Sequence, residues 1–425
     1  MPTPSLLIVP ARFKTGRLYS QIPTANGDFT VTRNTEARRF DSAGLVASVA
    51  SGIPRLDYFT SGGVTGCPAL LVEPAGTNLA LQSENFLTTW SPTNITVTTG
   101  STAAFTAPDG TTSADLLTAS ASGSARIIQS FTFVSGTTYS YSAFAKAGSG
   151  FFGLTMENGG IASGAAVIWN LNTGALAVSG TAGAGYTLQS QGIENYGNGW
   201  YRCRMTVLLG LGAAGNIRAN TSDGTMTSAV IQSASGNTAY VWGAQLETGS
   251  VATSYIPTTA GTGSRSADVI SVSGAVSGSI GQTEGTIYAE VDVRTFASSS
   301  ARRIVSLRVD GSNVLSLEIN TASTNIEFVA TSGGVSVTAV ASGLTAGISK
   351  IAVGYNSAAS GTVLYVNGVL RDTKTIAIPN LSAAVFGLGV RGDGGAGTQL
   401  NDRIRAAALY TTRLTNAELA TLTTP

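Results

Sequence analysis

Three prolines, Pro54, Pro68 and Pro74, fall in the single stretch from Gly52 to Trp90 (GIPRLDYFTSGGVTGCPALLVEPAGTNLALQSENFLTTW) and deny any of it to a long helix, because proline lacks the backbone donor and clashes with the preceding turn. The stretch must be extended or turned. Between the prolines, Ala69-Leu70-Leu71-Val72 is an apolar run of strand length with turn-forming residues on both sides. It lies between an Arg-dense N-terminal segment and a long remainder rich in Gly, Ser, Thr and Ala. These features predict a structured joint.

Beyond the joint the pattern is strand after strand. From about residue 83 to 258, Arg126 to Val134, Thr138 to Ala145, Gly150 to Met156 and Gly199 to Val207 alternate large and small residues with glycine-rich turns between them. No helical period appears, and strands at this spacing predict a jelly-roll β-sandwich. Gly261 to Thr283 is rich in Gly, Ser and Thr, with one apolar patch at Val269-Ile270-Ser271-Val272, and predicts a linker over 259–283. Strands resume at Glu284 and include a hairpin from Val363 to Leu370 around Asn367-Gly368, the strongest two-residue turn signal. Thr415-Asn416-Ala417-Glu418 reads as a capping box opening one short terminal helix. The fold class is therefore all-β: two β-sandwich domains, 83–258 and 284–425, after an extended N-terminal segment and joint, 1–82. That first segment has too little apolar content for a core of its own, so its order is expected from neighbouring copies or from a larger particle.

The order "PRLDY, Gly-rich turn, CPALLVEPAGTNLALQSENF, W" resembles a segment of tailed-phage virion proteins of the fibre and spike type. The run from Val241-Trp242-Gly243-Ala244-Gln245-Leu246-Glu247 to Tyr255-Ile256-Pro257, which closes the first β domain in that family, follows in the same order. The resemblance implies an N-terminal virion-attachment segment over 1–82, then a jelly roll similar to a carbohydrate-binding module, then a domain similar to concanavalin-A-like or laminin-G-like sandwiches. It further implies a virion location, a host surface polysaccharide as partner, contacts to other virion proteins through residues 1–82, and a homotrimer. It leaves the ligand unspecified.

Composition removes several function classes. Charged residues are 11% of the chain, against about 25% in typical globular domains, and the net charge of +1 supplies no field to steer a polyanion, so nucleic acid is not an expected partner. There is no histidine, which excludes the usual forms of Ser-His-Asp, Cys-His and zinc-hydrolase chemistry. Neither a cofactor nor a metal is expected. The longest apolar run, Met205 to Ala214, is too short to cross a bilayer, and MPTPSLLIVPARFK carries no secretion signal. An export-less β protein fits a particle component released by lysis.

Few residues invite a sharper reading. Arg33, Arg38, Arg39 and Arg55, with Arg12, Lys14 and Arg17 upstream, make the N-terminal region the most basic part of the chain, read either as contact with an acidic partner or as a solvated set. Cys67 and Cys203 are expected to be two buried thiols. Glu290 and Asp292, two apart on a strand, share a face and resemble the start of the catalytic strand of laminarinase-type glucanases. Arg294 and Thr295 stand where that class needs its acid/base glutamate, so the pair is read as solvent-facing charge and no catalytic residue is assigned. Trp200 and Trp242 are expected in the core, and Trp90 is left open. Arg391-Gly392-Asp393 lies in a glycine-rich turn that generates such a triplet by composition, and Asp393 with Asp402 is the one weak candidate for a rim calcium site. Glycan-binding residues are unknown at this stage, and a glycan site is expected in the loops at a sandwich rim. The function expected is non-covalent adhesion to host glycan by a fibre or spike protein, with a glycan-degrading tail spike and a purely structural decoration protein as the competing readings.

Overall fold

The computed structural model describes residues 2–21, 27–60, 63–158, 163–273, 278–294, 301–320 and 324–425. The all-β expectation holds: the described residues build two antiparallel β-sandwiches and one short helix.

The first sandwich packs two six-stranded sheets. One runs in the order Ser91–Thr93, Arg126–Phe133, Ala213–Ser222, Phe151–Glu157, Gly164–Asn170, Ala175–Ala182. The other runs Ile95–Thr99, Asp115–Ala119, Thr238–Thr248, Thr137–Ala147, Trp200–Leu209, Tyr186–Gly197. Alternate residues point inward, so Ile127, Phe133, Phe152, Leu154 and Met156 meet Tyr141, Cys203, Met205, Val207 and Leu246 in one core. The four strands read from alternation all form, within a few residues of their expected ends.

The second sandwich is where the chain departs from its expected organisation. Its nine-stranded sheet holds Phe29–Thr32 and Val269–Val272 side by side, ahead of Val385–Leu388, Arg302–Arg308 and three further strands. Its eight-stranded sheet pairs Asp402–Tyr410 with Glu284–Val293 on one side. On the other side Asp402–Tyr410 takes Leu6–Ile8 near one end and Gly63–Val72 near the other. Leu6, Ile8, Leu18, Phe29, Val31, Leu56, Leu70 and Val72 are all buried in this sandwich's core, and the Phe29 ring sits 4.9 Å from Phe386. Residues 1–82 are therefore not a segment awaiting order from other copies. Their short alternating runs, such as the buried-exposed pattern of Phe29–Thr32, bury apolar side chains against partners hundreds of residues away.

The stretch 259–283 is likewise no linker. Gly263–Arg265 pairs antiparallel with Gly76–Asn78, and Val269–Val272 is a strand of the large sheet. The first sandwich is thus an insertion between two halves of the second, and its inbound and outbound strands run together as a two-stranded ribbon.

The terminal details follow local chemistry. Asn367 and Gly368 take φ of +51° and +80°, the paired left-handed conformations of a tight hairpin turn, and Val366 faces Val369 across it. Thr415 caps the helix Asn416–Thr423: its backbone N–H donates to Glu418 Oε2 at 2.9 Å while Glu418 N–H donates back to its hydroxyl at 3.3 Å. Leu419 anchors that helix on the sheet beside Tyr288, Val363 and Tyr365.

This interleaving predicts that a fragment of residues 284–425 lacks cooperative unfolding and near-ultraviolet dichroism, because its core is missing Leu6, Phe29, Val31, Leu70 and Val72. In the full chain Phe29→Ala is expected to cost about 3–5 kcal/mol in urea denaturation.

Candidate functional site

The joint is built from buried charge. Arg55 is fully buried and donates to Glu73 and to Asp268. Arg265 reaches Glu73 at 3.0 Å, and Arg33 reaches Asp268 at 3.0 Å. Arg33 completes its fork on the carbonyls of Thr35, Ile53, Val49 and Ala50 at 2.6–3.2 Å. Glu73 also accepts from the backbone and hydroxyl of Ser254 at 2.7 and 2.6 Å. Burial alone would raise the Glu73 carboxyl, but Arg55 and Arg265, with Ser254, overcome it and hold it well below its ordinary range. Arg33 and Arg55 therefore serve neither an outside partner nor solvent. Arg38 pairs with Glu36, and Arg39 donates to the Leu56 carbonyl. Arg12, Lys14 and Arg17 are the exposed members of the set.

The family-like runs close the same joint from the other side. Asn78 donates to the carbonyls of Ala244 and Ile256 at 3.0 and 2.9 Å and accepts from Leu246 N–H at 3.0 Å. Gln245 accepts from Ile256 N–H at 2.7 Å, and Glu247 takes the backbone and hydroxyl of Thr253 at 2.8 and 2.7 Å. Two further pairs lie within the second sandwich, Arg403 to Asp57 at 2.7 Å and Arg294 to Asp402 at 3.2 Å, and Arg294 also crosses to Glu194 of the first sandwich at 3.6 Å. Trp200 and Trp242 are buried, not in a domain centre but in an aromatic cluster where the small hairpin bearing Phe40 packs on the first sandwich with Phe144, Tyr196 and Tyr255. Trp90 is buried too and donates to the Leu81 carbonyl at 3.1 Å.

The remaining sequence candidates are accounted for. Glu290 and Asp292 are half-buried on one face, opposite Ala289, Val291 and Val293, and Glu290 accepts from Arg405 at 2.9 Å. Thr295 lies outside the described residues. Asp393 is held by Arg391 and Arg308, and Asp402 by Arg294 and Arg302. Both carboxylates are thereby committed to guanidiniums. Cys203 is fully buried, as expected, but Cys67 is exposed. The two form no disulfide.

A polar site that the sequence reading missed lies on the outer face of the first sandwich. Along the sheet containing Arg126–Phe133, the residues pointing away from the core are Arg126, Ser130 and Thr132, then Asn216, Arg218 and Asn220, then Thr155 and Glu157. Ser130 faces Asn216 across one pair of strands, and Asn216 faces Glu157 across the next. They form a chain: Ser130 donates to Asn216 Oδ1 at 3.1 Å, Asn216 donates to Glu157 at 2.6 Å, and Arg218 donates to the same carboxylate oxygen. Asn220 donates to the Gly153 carbonyl at 3.2 Å. Burial lowers the Arg218 guanidinium to about 10, with Glu157 opposing, and burial lowers Arg126 in the same way.

Arg218, Glu157 and Asn216 are themselves buried, at 4%, 1% and 9% exposure, so they form a charged network beneath the face. A shallow depression lined by Ser130, Phe131, Thr132, Asn158 and Asn216 opens at the Asn216 end of that network. It presents hydroxyl and amide groups to hydroxyl-bearing partners. The depression lies on a sheet face. Its signal in the sequence is the alternation Asn216, Arg218, Asn220, Ser222, which places a large polar side chain at every outward position of a strand.

No family model matches the chain, and no curated protein matches it. Among solved structures it is similar to the Ruminococcus gnavus IT-sialidase CBM40 bound to α2,3 sialyllactose, at 18% identity and a TM-score of 0.29, covering 34% of this chain and 84% of that one. It is also similar to the NanB sialidase from Streptococcus pneumoniae, at 15% identity and a TM-score of 0.30, covering 36% of this chain and 27% of that one. The receptor-binding domain of botulinum neurotoxin mosaic serotype C/D gives 14% identity and a TM-score of 0.30, over 36% of this chain and 39% of that one. The β-sandwich assignment rests on the sheets and cores described above.

The joint yields a test. Glu73→Gln leaves Arg55 and Arg265 short of charge and is expected to destabilise the chain by about 3–5 kcal/mol at pH 7. Because the folded carboxyl is held below its ordinary value of 4.5, its contribution is complete above that pH and is lost as pH falls below it. The difference between wild type and variant in urea denaturation therefore narrows at pH 3.

Proposed function

We propose that this chain is a fibre or spike protein of a tailed-phage or phage-like particle that binds host cell-surface polysaccharide non-covalently. The observation that carries the reading is the outer-face depression lined by Ser130, Thr132, Asn158 and Asn216, a row of hydroxyl and amide groups held in place by the buried network of Asn216, Glu157 and Arg218. Shallow contacts of this kind bind weakly one at a time. A homotrimer presenting three copies multiplies them through effective concentration. The exposed edge hairpin Phe13–Lys14 and Arg17–Leu18, with Arg12 beside it, offers the basic surface for docking to an acidic virion neighbour.

Binding without catalysis is the reading favoured at Glu290 and Asp292. Glu290 faces Lys350 on the next strand and is held by Arg405, while Asp292 faces Arg403.

The test uses labelled full-length protein on host cells before and after removal of surface polysaccharide, with reducing sugar measured in the same tubes. Saturable binding that disappears on stripping, without sugar release, is expected. Thr132→Trp, at an exposed position of the depression, is expected to weaken binding at least about tenfold, or ~1.4 kcal/mol, with an unchanged melting temperature. Sugar release that is abolished by Glu290→Gln would instead make the protein a depolymerase. Absence of binding by the assembled oligomer would leave a structural decoration role.

A further inference from the structure

A second polar site lies in the seam between the sandwiches. The loop after Thr238–Thr248, the turn at Pro74 and Ala75, and the segment leading into Asp402–Tyr410 enclose a crevice of ≈ 220 Å³. That is below the size of drug-sized ligand sites, about 300–1,000 Å³, and suits a ligand of one small unit. Its wall includes Gln399, 1% exposed, and Asn401, 5% exposed.

Both amide atoms of Gln399 and the Oδ1 of Asn401 have no hydrogen-bond partner among the described residues. Buried amides are almost always paired, since leaving one unpaired costs its full desolvation penalty. Two neighbouring exceptions on the wall of one crevice call for something to fill it. Neither side chain is engaged by the joint: the Asn401 backbone N–H donates to the Val72 carbonyl at 2.8 Å, but its side-chain oxygen is left over.

The charged groups on the same wall are already engaged. Glu247 is held by Gln245 and Thr253, and Arg302 donates to the Leu400 carbonyl at 3.0 Å and to Asp402 at 3.1 Å. The crevice therefore offers unused neutral donors and acceptors, while its charged side chains are held by partners of their own. An ion gains little there. A molecule carrying several hydroxyls, each both donor and acceptor, matches a carboxamide pair well.

We propose that this crevice binds a neutral polyhydroxyl ligand, a hexose unit or an alditol, through Gln399 and Asn401. The site is independent of the outer-face cluster. It takes walls from both sandwiches, so occupancy links them.

The experiment is saturation-transfer and chemical-shift NMR on the full-length protein with glucose, galactose, N-acetylglucosamine and mannitol, with glucuronate as the charged comparison. At least one neutral sugar is expected to bind saturably, and glucuronate more weakly. Gln399→Leu is expected to weaken that binding more than tenfold while raising the melting temperature of the sugar-free protein, because an unpaired buried amide has been removed. An amide serving only the fold would lower the melting temperature instead. Thr248→Trp, at an exposed position of the crevice mouth, is expected to block binding without touching either amide, whereas Thr132→Trp on the outer face is expected to leave it unchanged. The proposal is overturned if no neutral sugar binds saturably, if glucuronate binds best, or if Gln399→Leu and Thr248→Trp both retain full binding.

Discussion

The structure depends on one buried cluster: Arg55 between Glu73 and Asp268, closed by Arg265 and Arg33. These residues come from two widely separated passages of the chain. Arg55 and Glu73 belong to the inbound half of the second sandwich, Arg265 and Asp268 to the outbound half. An inserted domain must bring those two passages back to one place. A guanidinium that donates to two carboxylates from opposite passages does so with a direction that apolar contact lacks. Desolvating so many charges is costly, and such a cluster is favourable only when nearly every donor is used. The five-fold use of Arg33 and the four donors converging on Glu73 meet that demand.

The cluster also explains how the two sandwiches relate. Glu194 of the first reaches Arg294 of the second, and the hairpin with Phe40 fills the angle between them with aromatic rings. Phe40, Phe59, Tyr196 and Phe144 meet at 4.8–5.6 Å between centroids, the spacing of favourable edge and tilted contacts. With ion pairs on one side and rings on the other, the seam is a packed interface and not a hinge.

Much of the fold was legible. Alternation marked the strands of the first sandwich, Asn367-Gly368 marked a hairpin of the second, and Thr415 with Glu418 marked the helix start, because each depends on residues close in sequence. Membership of the strands was not legible. Leu6 pairs with Leu409, and Phe29 packs on Phe386. No local window contains both partners, so residues 1–82 looked coreless and 259–283 looked like a tether. The arginines misled for a related reason: Arg33 and Arg55 look like surface charge until Asp268, more than two hundred residues on, is placed beside them. The outer-face site was hidden because outward polar residues on a strand ordinarily mean solvent. Only the strand order puts Arg126, Arg218 and Glu157 together.

The most recognisable passages of the chain are spent on holding it together. Glu73, Asn78 and Ser83 in one run, and Gln245, Glu247 and Tyr255 in the other, bond to each other or to the arginines of the joint. Resemblance in these runs therefore carries information about how an inserted sandwich is clasped and none about what the protein touches. Unused hydrogen-bonding capacity occurs in the clasp as single nitrogens, such as the Nε of Arg55 and Arg265, but a neighbouring pair of unpaired amides is found at Gln399 and Asn401 in the seam. An unpaired amide pair on the wall of a crevice is a better guide to ligands than motif is. A clasp that tolerates little change leaves the sheet face and the crevice walls free to vary without loss of the frame that positions them.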